Sequence, residues 1–374
     1  RVFDTAQKIV VDLVQLFQLN VKNEAARSYY EAPTESPAAW EAYCQGRRLQ
    51  IAGDAKDLDK ARELFADAVA RDENFTLAAV ALVEVVLQLA RRHVYEEESF
   101  QALLEDAYRL ALRSVRQRPE IHETQNIMGE VFVYLSGGRD ADLFRRAQTR
   151  FLEAVRLNPN SARSWYNLAL ISKYSVPEED VGYADFLSKA VSADPSYITA
   201  RLALGRYLNE RNDSEGARRQ FRLALSYNPR NIAALNELGH FYLKRNDAGH
   251  AQEILERAKE VDGANAATRF YLGLAYLQQG LSGKAEEEFW AAVAFQPTEL
   301  AYYKALARAL EDNHKYAEAV SVLEEARKKT ADPAEVQKIN THIAWLTERV
   351  RAEQPVANPA PSAPPPPSPP GGPA

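Results

Sequence analysis

The chain has 374 residues, 46% of them hydrophobic and 26% charged, with a formal net charge of −6, which is ample apolar content for a large folded array. Its two charge signs are interspersed rather than gathered into a basic stripe, which argues against a nucleic-acid partner, and no apolar run approaches the ~18–20 residues of a membrane-spanning helix. The single cysteine, Cys44, excludes an internal disulfide framework.

In chain order, the first expected element is an amphipathic helix over residues 3–19, with Ile9, Val10, Leu13, Val14, Leu16 and Phe17 on its apolar side. Residues 1–36 are read as this helix plus a linker. A repeat array over residues 37–331 then begins with Trp40, Tyr43 and Cys44 and continues to Ala61, Phe65 and Ala68, with an enlarged turn at residues 53–57. Cys44 is assigned the small-residue place of that unit, as a buried structural thiol. The second unit pairs Leu82 and Val83 with Ala107, Ala111 and Ser114 across an insertion that holds Arg91, Arg92 and His93. The third starts at Pro119 and places Met128 and Gly129 against Ala147, Phe151 and Ala154. The fourth starts at Pro159 and places Trp165, Leu168 and Ala169 against Leu187 and Ala190.

Four regular units follow, and their period decides the fold. Pro195 and Pro229 are 34 residues apart (229 − 195), and two further steps of 34 land on Gly263 and Pro297. In each unit one place holds Gly or Ala: Gly205, Gly239, Gly273, Ala307. Twelve residues on stand Ala217, Ala251, Ala285 and Ala319; four beyond come Phe221, Leu255, Phe289 and Leu323; three further come Ala224, Ala258, Ala292 and Ala326. Gly or Ala on a first helix leaves room for the large side chain of a second, and the Ala positions let the next unit approach. Each pair is too small to bury its apolar face alone, so stacking completes the core. After the array, Asp332-Pro333 opens a capping helix over residues 332–353, with Val336, Ile339, Ile343, Leu346 and Val350 on one face. Residues 354–374 hold ten of the 19 prolines and are expected to be extended or disordered.

This pattern resembles the tetratricopeptide-repeat family. The resemblance implies an all-α, right-handed superhelical solenoid of about eight helix-turn-helix repeats, a protein-binding scaffold with no catalytic, cofactor or metal site. The junction Ala32-Pro33-Thr34-Glu35-Ser36-Pro37-Ala38-Ala39-Trp40-Glu41-Ala42-Tyr43, followed by Gly46-Arg47, is similar to the one where multidomain bacterial regulators pass into such repeats. Those parents carry a Ser/Thr kinase, nucleotide cyclase or DNA-binding effector upstream. The chain opens Arg-Val-Phe-Asp without an initiator Met, so it is expected to be a piece of a longer protein. Two functions stay open: the sensory or assembly arm of a signalling protein, or the substrate-selecting region of an upstream enzyme. A cytoplasmic location is expected, or a periplasmic one if an export signal precedes.

Catalytic signatures do not emerge. There is no Gly-x-Gly-x-x-Gly, Gly283-Lys284-Ala285 lacks the rest of a phosphate loop, and His122-Glu123 lacks the second histidine of a zinc helix. The six histidines have no ligand spacing and read mostly as solvated surface groups.

In the tetratricopeptide family the first helix of each unit lines a concave groove, and the residues at its groove-facing offsets carry over one by one. Tyr166, Leu170 and Tyr174 are followed by Arg206 and Asn209, then Asn236, His240 and Lys244, then Phe270 and Leu274, then Lys304 and Arg308. Leu202, Leu277 and Glu311 stand at further such places, and an earlier unit offers Asn126, Glu130 and Tyr134. The resemblance therefore implies a groove with a basic track among aromatic and apolar contacts, suited to an extended or helical peptide of acidic-aromatic character. The Lys and Asn set by which chaperone-binding members hold a C-terminal carboxylate is missing.

Overall fold

A left-handed backbone position returns with the same 34-residue step as the small and large core residues. Asn212 (φ 64°), Asn246 (φ 56°), Gly280 (φ 74°) and His314 (φ 60°) each turn the chain between the two helices of a repeat. Only a residue that tolerates this conformation reverses the chain so tightly, which suits Gly and Asn well and His less so.

The computed structural model describes residues 34–52, 55–91, 97–175 and 182–353. The expected helix over 3–19 and the proline-rich stretch over 354–374 lie outside the described residues. Among the described residues every regular element is an α-helix: α1 (Pro37–Ala52), α2 (Ala55–Arg71), α3 (Thr76–Arg91), α4 (Glu97–Gln117), α5 (His122–Leu135), α6 (Ala141–Leu157), α7 (Ala162–Ser175), α8 (Tyr183–Ala193), α9 (Ile198–Glu210), α10 (Ser214–Tyr227), α11 (Ile232–Leu243), α12 (Ala248–Val261), α13 (Ala266–Gln278), α14 (Ser282–Phe295), α15 (Leu300–Asp312), α16 (Tyr316–Arg327) and α17 (Pro333–Glu353). The first sixteen pack as eight consecutive hairpins. Two compact units divide at residue 227. The first holds the five hairpins α1 to α10, the second three hairpins and α17.

In five of the hairpins a first-helix glycine faces the large residue of the second helix directly. A Cβ built on Gly205 would lie 2.5 Å from Cε1 of Phe221, one on Gly129 2.5 Å from Phe151, and one on Gly273 2.5 Å from Phe289. All three rings are fully buried. In the first hairpin Gly46 takes this role against Phe65, at 2.7 Å, and Cys44 is exposed. The expected buried thiol is thus corrected: the register of this repeat is two residues later than assigned, because the ring of Phe65 needs the residue without a side chain. In α17, Ile339 and Leu346 are fully buried and Val336, Ile343 and Val350 partly so.

The turns between hairpins have a shared construction. The carboxylate or amide of Asp72, Asn158, Asp194, Asn228 and Asp262 accepts a backbone N–H two residues on, at 2.8–3.1 Å. Such a local bond closes the end of one helix without a continuing turn. A side chain six residues past the boundary Pro or Gly then donates to its carbonyl: Gln125 to Pro119, Trp165 to Pro159, Arg201 to Pro195, Arg269 to Gly263 and Tyr303 to Pro297. The five residue types differ, so no sequence identity marks the position, but each carries a donor that satisfies a carbonyl at a helix entrance. Leu235 occupies the place after Pro229 and has no donor to offer.

Candidate interaction surface

In the second unit the first helices α11, α13 and α15 succeed one another at a spacing of 34, so equivalent positions form rows. One row is His240, Leu274 and Arg308; one turn further stand Leu243 and Lys244, Leu277 and Gln278, and Asp312. These eight residues line a single cleft of about 480 Å³. Five residues read from the sequence as groove-lining (His240, Lys244, Leu274, Leu277 and Arg308) therefore come together.

Their electrostatics differ from the basic track expected. His240 is half-buried, its ring stacked on Tyr271 with centroids 5.0 Å apart. Burial, and then the neighbouring Lys244, holds its imidazole below the usual histidine value. His240 is thus neutral near pH 7 and supplies a ring and a hydrogen-bonding nitrogen instead of charge. The charge comes from Lys244, which no carboxylate pairs among the described residues, and from Arg308, 67% exposed with Asp312 at 3.3 Å. Leu243, Leu274 and Leu277 form the apolar floor.

The other sequence-derived residues of this unit are placed differently. Asn236 is buried, accepting from the Thr268 hydroxyl at 2.9 Å and reaching Asn265 at 3.4 Å, so its amide joins α11 to α13. Phe270 packs in a ring cluster with Tyr302 at 5.0 Å and Phe289 at 5.9 Å. Lys304 donates to Glu335 of α17 at 2.9 Å, and two lysines, Lys338 and Lys304, hold that carboxyl down at about 2.

In the first unit, Leu170 is 39% exposed and lines a smaller cleft of about 150 Å³ between α5 and α7, with Glu130, Tyr134 and Asn167. Tyr166 meets Tyr197 edge-on at 5.8 Å. Arg206 is exposed on α9 and Asn209 partly so. Tyr174 lies outside the described side chains.

Sequence reading missed a buried ionic network in this unit. Glu84 of α3, 6% exposed, pairs with Arg47 of α1 at 2.7 Å and with Arg163 of α7. Arg163 also grips both oxygens of Glu130 at 2.8 and 2.9 Å. Asn126 and Asn167 donate to the same carboxylate at 2.9 and 2.8 Å. Burial alone would raise the Glu84 carboxyl, but Arg163 and Arg47 outweigh it and hold the group below the usual range. The signal was present: Glu84 is the one acidic residue in the otherwise apolar run of α3, and a buried carboxylate requires partners.

A family profile described as Tetratricopeptide repeat matches residues 232–265, the α11–α12 hairpin. No curated protein sequence matches the chain. Its fold is similar to that of yeast Tom70, at 14% identity and a TM-score of 0.56 over 85% of this chain and 66% of that one. It is also similar to the APC/C hetero-tetramer Cut9-Hcn1, at 14% identity and a TM-score of 0.51 over 77% of this chain and 59% of that one. The human IFIT1 dimer with PPP-AAAA is similar at 16% identity and a TM-score of 0.50, over 86% and 75% of the two chains. The chain thus spans just under two thirds of the Tom70 length. With a tetratricopeptide repeat matched over residues 232–265, five hairpins in which a first-helix glycine faces a large core side chain and these folds alongside, the chain has the all-α solenoid fold of tetratricopeptide-repeat proteins.

Proposed function

We propose that the chain is a protein-interaction scaffold that docks an extended or helical peptide of acidic-aromatic character along its first helices. The observation that carries this reading is the cleft of the second unit, where Lys244 and Arg308 flank an apolar floor of Leu243, Leu274 and Leu277. Cations bordering apolar surface suit a ligand that alternates carboxylates with apolar anchors, and interface energy concentrates in such Arg and aromatic contacts. In the first unit Tyr166, Leu170, Tyr174, Arg206 and Asn209 are assigned the same role. The array serves as the sensory or assembly arm of a larger bacterial signalling protein in the cytoplasm; among the described residues no helix is long and apolar enough to cross a membrane.

The test is fluorescence anisotropy with a labelled synthetic peptide of alternating Glu and Phe or Leu, against a Lys-for-Glu counterpart. Arg308→Glu and Arg206→Glu should each weaken the acidic peptide by roughly tenfold, since attraction becomes repulsion. Arg222→Glu, on the second helix of its hairpin, is the control. Equal losses for Arg222→Glu and the groove variants, or a preference for the basic peptide, would refute the assignment.

A further inference from the structure

The terminal helix α17 offers a surface that its capping role does not require. Its buried stripe, Val336, Ile339, Ile343, Leu346 and Val350, is adjoined by a second row one residue earlier: Glu335, Lys338, His342, Trp345 and Arg349. Both rows step by 3, 4, 3 and 4, so each follows one side of the helix. The second row borders α15. Glu335 binds Lys304, and His342 Nε2 lies 2.6 Å from Glu311 Oε1. Both pairs have a separation of 31 (335 − 304 and 342 − 311), so α17 runs alongside α15 as a further first helix would.

The same offset sets Trp345 level with position 314 (345 − 31), beyond Asp312, where α15 ends. Trp345 consequently overhangs its neighbour. It is 43% exposed, a large aromatic side chain open to solvent. The Arg349 guanidinium sits 4.8 Å from the Trp345 ring centre and the His342 ring 6.1 Å away. Among the described residues no carboxylate pairs with Arg349. The cleft holding Lys244, Leu277 and Arg308 lies at this same end of the first helices. Cation-flanked apolar surface therefore recurs one helix further along.

We infer that Trp345 and Arg349 extend the binding face of the second unit, taking one apolar or aromatic side chain and one carboxylate from the far end of an acidic peptide seated in the cleft. The inference rests on the peptide-binding reading above and adds the residues that set how far the bound segment reaches. Trp345 packs the anchor side chain, and the Arg349 guanidinium, already over the ring, meets the neighbouring carboxylate as a charge-assisted donor.

The experiment uses the full chain and two labelled Glu/Phe peptides, one short enough to fill only the cleft and one long enough to reach α17. Trp345→Ala and Arg349→Glu should each weaken the long peptide about tenfold and leave the short one unchanged, while Trp345→Phe keeps most of the affinity. Arg308→Glu should weaken both. Circular dichroism of Trp345→Ala should match the parent, because the side chain is half in solvent. If the long peptide binds Trp345→Ala as tightly as the parent while Arg308→Glu loses both, the cleft stands and the extension is overturned. If Arg308→Glu changes neither, the peptide-binding reading itself fails. Sedimentation run alongside tests a second copy as the occupant: loss of a dimer in Trp345→Ala, with peptide affinity unchanged, overturns the inference in that direction.

Discussion

Replacing the first-helix glycines by alanine should separate two kinds of repeat joint that share one pattern. A helical Gly→Ala change is favourable by roughly 0.8–1 kcal/mol through backbone entropy. Against this, the new Cβ meets the partner side chain at 2.5 Å in Gly205 and Gly273, where the atom is a ring carbon of Phe221 or Phe289. A fully buried ring cannot move aside without displacing its neighbours, and such overpacking costs about 1–3 kcal/mol. The net expectation for Gly205→Ala and Gly273→Ala is a loss of up to ~2 kcal/mol. At Gly239 the Cβ meets Leu255 at 2.6 Å, but the last regular repeat already accommodates Ala307 with Leu323, both fully buried. Leu rotates where a ring does not, so Gly239→Ala should be neutral or stabilising by up to ~1 kcal/mol. Urea unfolding followed by far-UV circular dichroism measures these differences, with the slope checked as well as the midpoint because long arrays need not unfold in two states. The double variant Gly205→Ala/Phe221→Leu copies the native Ala307–Leu323 joint and should be more stable than the two single changes sum to, by more than ~0.5 kcal/mol. Equal costs at Gly205 and Gly239, or an additive double variant, would refute the small-to-large account.

Two further outcomes follow from the turns and the buried charges. Glu84→Gln leaves Arg47 and Arg163 without their shared counter-charge and should cost about 3 kcal/mol at pH 7, the low end for a buried pair because both guanidiniums retain water contact. The folded Glu84 carboxyl lies below its usual value, so its contribution is complete above pH ~4.3 and lost as pH falls through the folded value; the gap between parent and variant should narrow on acidification, and a pH-independent gap would contradict the pairing. His314→Gly relieves a left-handed turn at φ 60° and should raise thermal stability by about 0.5–1 kcal/mol, less the exposed contact of His314 with Tyr316; a lower melting temperature would show that this contact outweighs the backbone.

Core positions were legible in the sequence because each is decided by one property. A period of 34 in residue size locates Gly205 against Phe221 without knowledge of any other contact, and the apolar spacing after Pro333 locates the face of α17 that packs. The reading failed where size alone was ambiguous: Cys44 and Gly46 are both small, and only the demand of the Phe65 ring for a missing Cβ chooses between them. It also failed where the recurring property is a function shared by unlike residues. Gln125, Trp165, Arg201, Arg269 and Tyr303 have no common size or charge, yet each donates to the carbonyl six residues back.

The candidate surface was only half legible for a related reason. Offsets along a helix say which residues share a face, but they do not say which of those residues are already engaged across the next helix. Asn236 is spent on Thr268, and Lys304 on Glu335. Lys244, by contrast, borders an open cleft without a carboxylate partner among the described residues, and Arg308, beside it, pairs with Asp312 of its own helix and not with a neighbouring repeat. A charge at a groove position offers free energy to a ligand only to the extent that the fold has left it unpaired. Burial that keeps His240 neutral removes it from the charge of the cleft even though it stands in the same row as Arg308. The specificity of such an array therefore lies in the subset of its first-helix side chains that neighbouring repeats leave unanswered.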